Sequence, residues 1–137
     1  MPSYSEKSAF RLSTCHPDLQ KVFQRVIRVF DHSVLCGHRG KDEQNRFFRQ
    51  GKSKVRWPNG KHNSVPSMAV DAAPWPIDWH DRERFSLFAG FVIGIAREMY
   101  DDGEIDHLIR WGGDWDCDTE VTDNGFDDLP HFELINP

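Results

Sequence analysis

The chain has 137 residues with a formal net charge of −5, and 38% of its residues are hydrophobic, including ten Phe and five Trp. This length is typical of one domain with its own core, and the aromatic content excludes a disordered chain. The longest apolar run, at 87–96, has ten residues, against the roughly 20 that span a bilayer, so no membrane span is expected. The first residues lack a basic segment followed by an apolar one, so we expect no secretory signal.

The apolar pattern predicts helices and strands within a single domain over residues 1–137. Apolar residues recur at helical spacing over 17–31 and over 81–99, which predicts two amphipathic helices. Residues 42–50 are typical of a short helix, and 51–68, with several Gly and Pro, indicate a long loop. Short strands are predicted at 34–37, 69–73, 108–111 and 132–135. This order predicts an α+β fold, with helices packed on a small, mostly antiparallel sheet.

Charge is distributed unevenly along the chain. Residues 1–60 carry 12 Lys and Arg and 5 Asp and Glu, whereas residues 61–137 carry 5 and 17. A basic half suits an anionic polymer such as nucleic acid or cell wall. We favour the interpretation in which the two halves pair with each other inside one fold. Cys15, Cys36 and Cys117 are odd in number and widely spaced, which predicts free thiols and no disulfide framework.

Two histidines and one aspartate offer the ligands of a catalytic zinc site. His62 lies in the long loop, nine residues before Asp71 on a predicted strand, and His131 stands at the head of the last strand. Such a set leaves the fourth position of a tetrahedral zinc open for water. Asp128 is placed to move the proton of that water, and Glu133 shares the strand face of His131 and can orient it. From spacing alone, solvated histidines remain an alternative.

Three segments resemble the zinc peptidases of the D-Ala-D-Ala carboxypeptidase/VanY type. They are His-Asn-Ser-Val-Pro-Ser-Met-Ala-Val-Asp-Ala-Ala-Pro at 62–74, Trp-Gly-Gly-Asp-Trp-Asp at 111–116 and Asp-Leu-Pro-His-Phe-Glu at 128–133. Within that group the chain is most similar to the short tailed-phage endolysins that are L-alanyl-D-glutamate peptidases. The resemblance spans nearly the whole chain and implies a hedgehog/D-Ala-D-Ala-peptidase-like fold.

The resemblance also implies roles for individual residues. It makes His62, Asp71 and His131 the ligands of Zn²⁺ and gives Asp128 the position of the general acid/base. Arg39 and Gln44 stand where such enzymes keep an Arg and a Gln in the substrate site. Arg39 would then contact a substrate carboxylate or the oxyanion, since a guanidinium suits both.

The sequence departs from the family pattern at a few positions. Gly60 stands where members usually have Ser, and the spacing from His62 to Asp71 is two residues longer than in the shortest form of the motif. Carboxypeptidases of the group commonly carry Glu and Trp before the last His, where this chain has Asp128 and Pro130. These differences favour the phage endopeptidases over the carboxypeptidases.

The resemblance implies a zinc-dependent peptidoglycan hydrolase that cleaves the L-Ala–D-Glu bond of the stem peptide. Its partner is then the bacterial wall and not nucleic acid. We expect a monomer that stays in the host cytoplasm until a separate holin-type pore releases it. The alternatives are a D,D-carboxypeptidase that removes terminal D-Ala, a non-catalytic module that binds an anionic polymer and, with weaker support, a metal nuclease.

An acidic loop follows the third predicted strand. Its carboxylates alternate along the chain, as oxygen ligands of Ca²⁺ do, at Asp114, Asp116, Asp118 and Glu120. Thr119 occupies the sixth position, where an EF-hand needs Gly. A solvated acidic turn is therefore the favoured interpretation, with a Ca²⁺ site as the alternative.

Three further features receive structural interpretations. The rings of Trp75 and Trp79 could wall a substrate cleft, but we favour their packing in the core beneath a helix N-terminus. His80 and His107 have no partner that the sequence can place, so both are predicted to be surface residues.

Overall fold

The computed structural model describes residues 2–122 and 124–137, and in these it contains four α-helices and four β-strands. In chain order they are α1 (Glu6–Ser13), α2 (Pro17–Val26), β1 (His32–Cys36), α3 (Lys41–Arg49), β2 (Ala69–Pro74), α4 (Arg82–Asp101), β3 (Leu108–Trp111) and β4 (His131–Ile135), with a turn of 3₁₀ helix at Lys61–Asn63. The strands form one sheet in the order β1-β2-β4-β3, and all neighbours are antiparallel. The predicted α+β fold is confirmed.

The sheet separates the hydrophobic core from a polar cleft, because successive side chains of a strand point to opposite faces. On β4, Phe132 and Leu134 are fully buried in the core, whereas His131 and Glu133 line the cleft. The strands β2 and β3 follow the same alternation. Their core residues are Val70, Ala72, Ile109 and Trp111, and their cleft residues are Asp71 and Arg110.

Helices α2 and α4 cover the core face of the sheet. Phe23 of α2 and Phe88 of α4 each meet the ring of Phe132 edge-on, with centroid separations of 5.5 and 5.8 Å. Edge-to-face contacts of this kind stabilise a core beyond the area they bury. This packing fixes β4, and therefore the direction in which its polar residues face.

Two helical predictions are corrected by the structure. The first long helix ends at Val26 and not at residue 31, because the backbone N–H groups of Arg28 and Val29 turn back to carbonyls three residues earlier. The apolar pattern does not predict helix α1, because Leu12 is its one buried apolar side chain. Ser5 caps its N-terminus, because the Ser5 hydroxyl accepts a hydrogen bond from the N–H of Ser8.

The structure also corrects two interpretations of single side chains. Trp75 and Trp79 are 52% and 56% exposed, so neither is a core residue, and neither lines the cleft. Trp79 stacks instead on Phe85 near the start of α4. His107 is not a residue without a partner, because its Nδ1 lies 2.8 Å from a carboxylate oxygen of Asp18 at the start of α2.

Two whole-chain expectations can be compared with the described residues. Among the described residues, every helix is too short or too polar to span a bilayer. All three cysteines are free thiols: Cys15 is buried, Cys36 is partly buried and Cys117 is exposed.

Candidate metal centre

The fold brings His62, Asp71 and His131 together from three separate segments. Asp71 and His131 are register partners on the adjacent strands β2 and β4, and His62 enters from the 3₁₀ turn in the long loop. One carboxylate oxygen of Asp71 lies 3.2 Å from Nε2 of His62 and 3.3 Å from Nδ1 of His131. The three ligand atoms all lie within 4.8 Å of one another.

The far nitrogen of each imidazole is held by an acceptor. Nδ1 of His62 lies 2.7 Å from the carbonyl oxygen of Gly37, and Nε2 of His131 lies 2.8 Å from Oε1 of Glu133. Because both partners can only accept, these nitrogens carry the protons. The opposite nitrogens can therefore present lone pairs to one point beside Asp71, which is the arrangement that metal-binding histidines need.

The two histidines and the aspartate shift one another's pKa values. Burial lowers the pKa of His62, but the adjacent charge of Asp71 and its hydrogen bond outweigh burial and raise the pKa to about 10. For His131, burial is likewise outweighed by hydrogen bonds to Asp71 and Glu133, and the pKa rises to about 9. The two histidines hold the pKa of Asp71 well below its usual range, against the effect of burial. A divalent cation would take the place of the proton on the imidazole nitrogen that faces Asp71 in each histidine. This donor set therefore fits a metal ion.

Arg39 is fixed beside the candidate metal ligands. Its backbone N–H donates to the carbonyl of His62, and its guanidinium lies 3.4 Å from Asp71 and over the ring of Phe47. Gln44 is 1% exposed, accepts from Arg39 through Oε1 and donates to the loop that follows α3. The hydrogen bonds of Gln44 thus hold Arg39 and that loop in place.

The glycine at position 60 is explained by this network. Its N–H donates to the side-chain oxygen of Asn63, and an added Cβ would come within 2.7 Å of that oxygen and 3.1 Å of Oε1 of Gln44. Asn63 also donates to Gln44. A residue with a side chain at this position would push apart the groups that support Arg39.

Asp128 lines the same cleft from the segment that leads into β4. Its N–H donates to the carbonyl of Gly112, and its carbonyl accepts from the N–H of His131. A Cβ at Gly112 would lie 2.1 Å from the Asp128 carbonyl oxygen, so glycine is needed for this close approach. Burial, with the nearby charge of Asp71, raises the pKa of Asp128. A carboxylate with a raised pKa is suited to taking up and releasing a proton.

Two further cleft residues are not among the site residues that the sequence predicts. Arg110 donates to the second oxygen of Glu133 at 2.7 Å, and alternation along β3 could have placed it on the face opposite Ile109. Trp115 packs on the His131 ring with centroids 5.5 Å apart. Because Trp115 comes from a loop, no periodicity points to its position.

The candidate metal ligands lie in a cleft of about 430 Å³. One wall comes from α3 and the loop after it, and the other from β3, β4 and the segment between them. The residues that line it are Arg39, Gln44, Phe47, Lys52, Ser53, Lys54, Val55, Asn59, Gly60, Lys61, His62, Asp71, Arg110, Trp115, Phe126, Asp128, His131 and Glu133.

The acidic loop brings Asp114, Asp116 and Asp118 to within 4.8 Å of one another, without Glu120. Both carboxylate oxygens of Asp114 accept backbone N–H groups of the same loop, those of Asp118 and Thr119. These hydrogen bonds stabilise the turn, and they give the Asp114 carboxylate a structural role that needs no cation. Calcium binding here stays a prediction, which calorimetry with millimolar Ca²⁺ tests.

Comparisons with known proteins agree with this geometry. Residues 2–135 match the family described as phage L-alanyl-D-glutamate peptidase. The L-alanyl-D-glutamate peptidase of Escherichia phage T5 is 28% identical over 140 residues, which cover 96% of this chain and 97% of the phage T5 protein. The crystal structure of the Serratia marcescens L-Ala D-Glu endopeptidase ChiX matches with a TM-score of 0.73 and 26% identity, over 96% of this chain and 89% of ChiX. The resemblance inferred from the motifs is thereby confirmed: the chain belongs to the phage L-alanyl-D-glutamate peptidase family.

Proposed function

We propose that the chain hydrolyses the L-alanyl–D-glutamate bond of peptidoglycan stem peptides with a zinc ion held by His62, Asp71 and His131. The observation that carries the proposal is the convergence of two imidazole nitrogens on one carboxylate, with the far nitrogen of each imidazole already bonded to an acceptor. Family membership indicates which peptide bond is cut. Nitrogen and carboxylate ligands with an open cleft beside them are typical of catalytic zinc.

Zinc bound at these residues would supply a Lewis acid that lowers the pKa of a water molecule and polarises the scissile carbonyl. Asp128 takes the proton from the attacking water and passes it to the amide nitrogen of D-glutamate as the C–N bond breaks. Its raised pKa makes the carboxylate a stronger base for the first half of this transfer. Glu133 keeps His131 in the required tautomer through its bond to Nε2.

Arg39 is proposed to stabilise the negative charge that develops on the carbonyl oxygen or to contact a carboxylate of the substrate. Its guanidinium lines the cleft and is held in place by Asp71 and Gln44. A fixed donor loses little entropy when charge develops next to it. Gln44, whose amide is fully engaged inside the protein, is proposed to act by holding Arg39 in position.

The biological setting is proposed from the phage origin of the family. The substrate is the bacterial wall, and the chain acts as a monomer. It accumulates in the host cytoplasm and reaches the wall through a separate holin-type pore. Expression in a bacterial host with and without a pore-forming protein tests this, since lysis is expected only when both are made.

Mass spectrometry of digested peptidoglycan tests the activity directly. Purified wall is incubated with zinc-loaded protein, and a parallel sample contains a chelator. Fragments with a new free amine on D-glutamate, absent from the chelated sample, are the expected result. Loss of terminal D-Ala alone would instead identify a D,D-carboxypeptidase, and no product in either sample would contradict both activities.

A further inference from the structure

Three lysines line the mouth of the cleft without forming an ion pair to any residue in the described part of the chain. They are Lys52, Lys54 and Lys61, all exposed and all on the loop after α3. The cleft arginines differ, because Arg39 is paired with Asp71 and Arg110 with Glu133. The three lysines are therefore the Lys and Arg side chains of the cleft that pair with no carboxylate of the described residues.

Two of these ammonium groups are held against aromatic rings of the cleft wall. Nζ of Lys52 lies 5.7 Å from the centroid of Phe47, and Nζ of Lys54 lies 4.9 Å from the centroid of Phe126. Cation–π contacts hold a cation in place without neutralising it. These lysines are thus positioned by the protein and remain free to bind an anion.

Contacts through the wall connect the lysines to the metal ligands. The ring of Phe126 stacks on Trp115, whose ring packs on His131. On the other side, Lys61 directly precedes His62 in the 3₁₀ turn. A substrate whose scissile bond lies at the metal ligands would therefore extend past this group of cations.

We propose that Lys52, Lys54 and Lys61 form a subsite for the carboxylates on the D-glutamate side of the scissile bond. This inference rests on the proposed function. In a stem peptide D-glutamate is linked onward through its γ-carboxyl, so its α-carboxylate stays free on the carbon that bears the scissile nitrogen. An ammonium–carboxylate contact is charge-assisted and stronger than a neutral hydrogen bond. The lysines thereby favour an acidic stem peptide over an amidated one.

Three synthetic peptides and two variants test the subsite. The first peptide, acetyl-L-Ala-γ-D-Glu-L-Lys-amide, has the α-carboxylate as its one carboxylate. The second carries D-isoglutamine and has none, and the third carries D-isoglutamine with a free C-terminal carboxylate. The variants are the triple substitution Lys52→Met, Lys54→Met and Lys61→Met, and the control Lys7→Met on the exposed surface of α1.

For the wild type and Lys7→Met, we expect kcat/KM to be at least about tenfold higher on the first or third peptide than on the second, the size of one charged contact. The peptide that benefits shows which carboxylate is bound. The triple variant is expected to lose this preference, so that its kcat/KM is similar on all three peptides. An equal acid-to-amide ratio in the wild type and the triple variant would overturn the subsite. Failure of the wild type to cut peptidoglycan at all would contradict the proposed function instead.

Discussion

Glu133 accepts a 2.8 Å hydrogen bond from Nε2 of His131, the nitrogen that points away from Asp71. The second oxygen of Glu133 accepts from Arg110, its register partner on β3, at 2.7 Å. Burial raises the pKa of Glu133, but His131 and Arg110 outweigh it and lower the pKa to about 2. The carboxylate therefore stays charged and holds His131 with Nδ1 toward the other two ligands.

The substitution Glu133→Gln is expected to weaken zinc binding about 10–100-fold while the fold is kept. A neutral amide is a poorer acceptor for Nε2, and it can also present its NH₂ group, which disfavours the tautomer that binds metal. Competition with a chromophoric chelator measures the affinity. Glu98→Gln, at an exposed position of α4, is the matched control, and an unchanged affinity in Glu133→Gln would contradict the role.

Removal of a metal ligand is expected to abolish zinc binding and activity together. In His62→Ala, Asp71 and His131 alone are too few for a stable site, since catalytic zinc sites use three protein ligands. Metal content after gel filtration, measured by plasma mass spectrometry, reports the loss. His80→Ala removes an exposed histidine and should retain both properties. Full zinc occupancy in His62→Ala would show that the metal is bound elsewhere.

Asp128→Asn is expected to keep the fold and the zinc but to reduce kcat about 10²–10⁴-fold, because an amide cannot accept the proton of water. The control is Asp127→Asn, since the Asp127 carboxylate pairs with Arg82 and does not line the cleft. Turnover on purified wall, together with zinc content, separates a catalytic loss from metal loss. Near-normal turnover in Asp128→Asn would exclude it as the proton carrier.

The clustering of the three proposed metal ligands could be predicted from the sequence because each lies within a local motif. A carboxylate in the apolar strand around Asp71 calls for a partner, since burying an unpaired charge is costly. The contribution of Arg110 could not be predicted, because its contact with Glu133 depends on the register between β3 and β4. Trp115 reaches His131 from an irregular loop, and α1 buries too little apolar surface to produce a helical pattern.

Among the described residues, two ion pairs join an arginine of the basic half to a carboxylate of the acidic half. Arg25 pairs with Glu104 and Arg39 with Asp71. The lysines of the loop after α3 form no ion pair with other described residues. Sequence-wide charge counts cannot distinguish cations used inside the fold from cations directed at a ligand, because that distinction depends on the tertiary structure.

A titratable group far from the proposed metal ligands is buried in the core. His32 is 3% exposed, and its ring lies against Phe23 and Phe88. Its Nδ1 is 2.8 Å from the carbonyl of Phe30, and its Nε2 is 2.6 Å from the hydroxyl of Tyr4. Burial lowers the pKa of His32 from 6.5 to about 4.

This pKa shift predicts a loss of stability in mild acid. Between pH 6.5 and 4 the unfolded chain binds a proton at His32 that the folded protein does not, so the free energy of unfolding falls as pH falls. Over the whole interval, His32 lowers the free energy of unfolding by about 3 kcal/mol. Denaturant unfolding at pH 7 and pH 4.5, with chelator present so that metal release does not contribute, should show a smaller pH difference for His32→Gln than for the wild type. Equal differences in the two proteins would mean that another group causes the acid sensitivity.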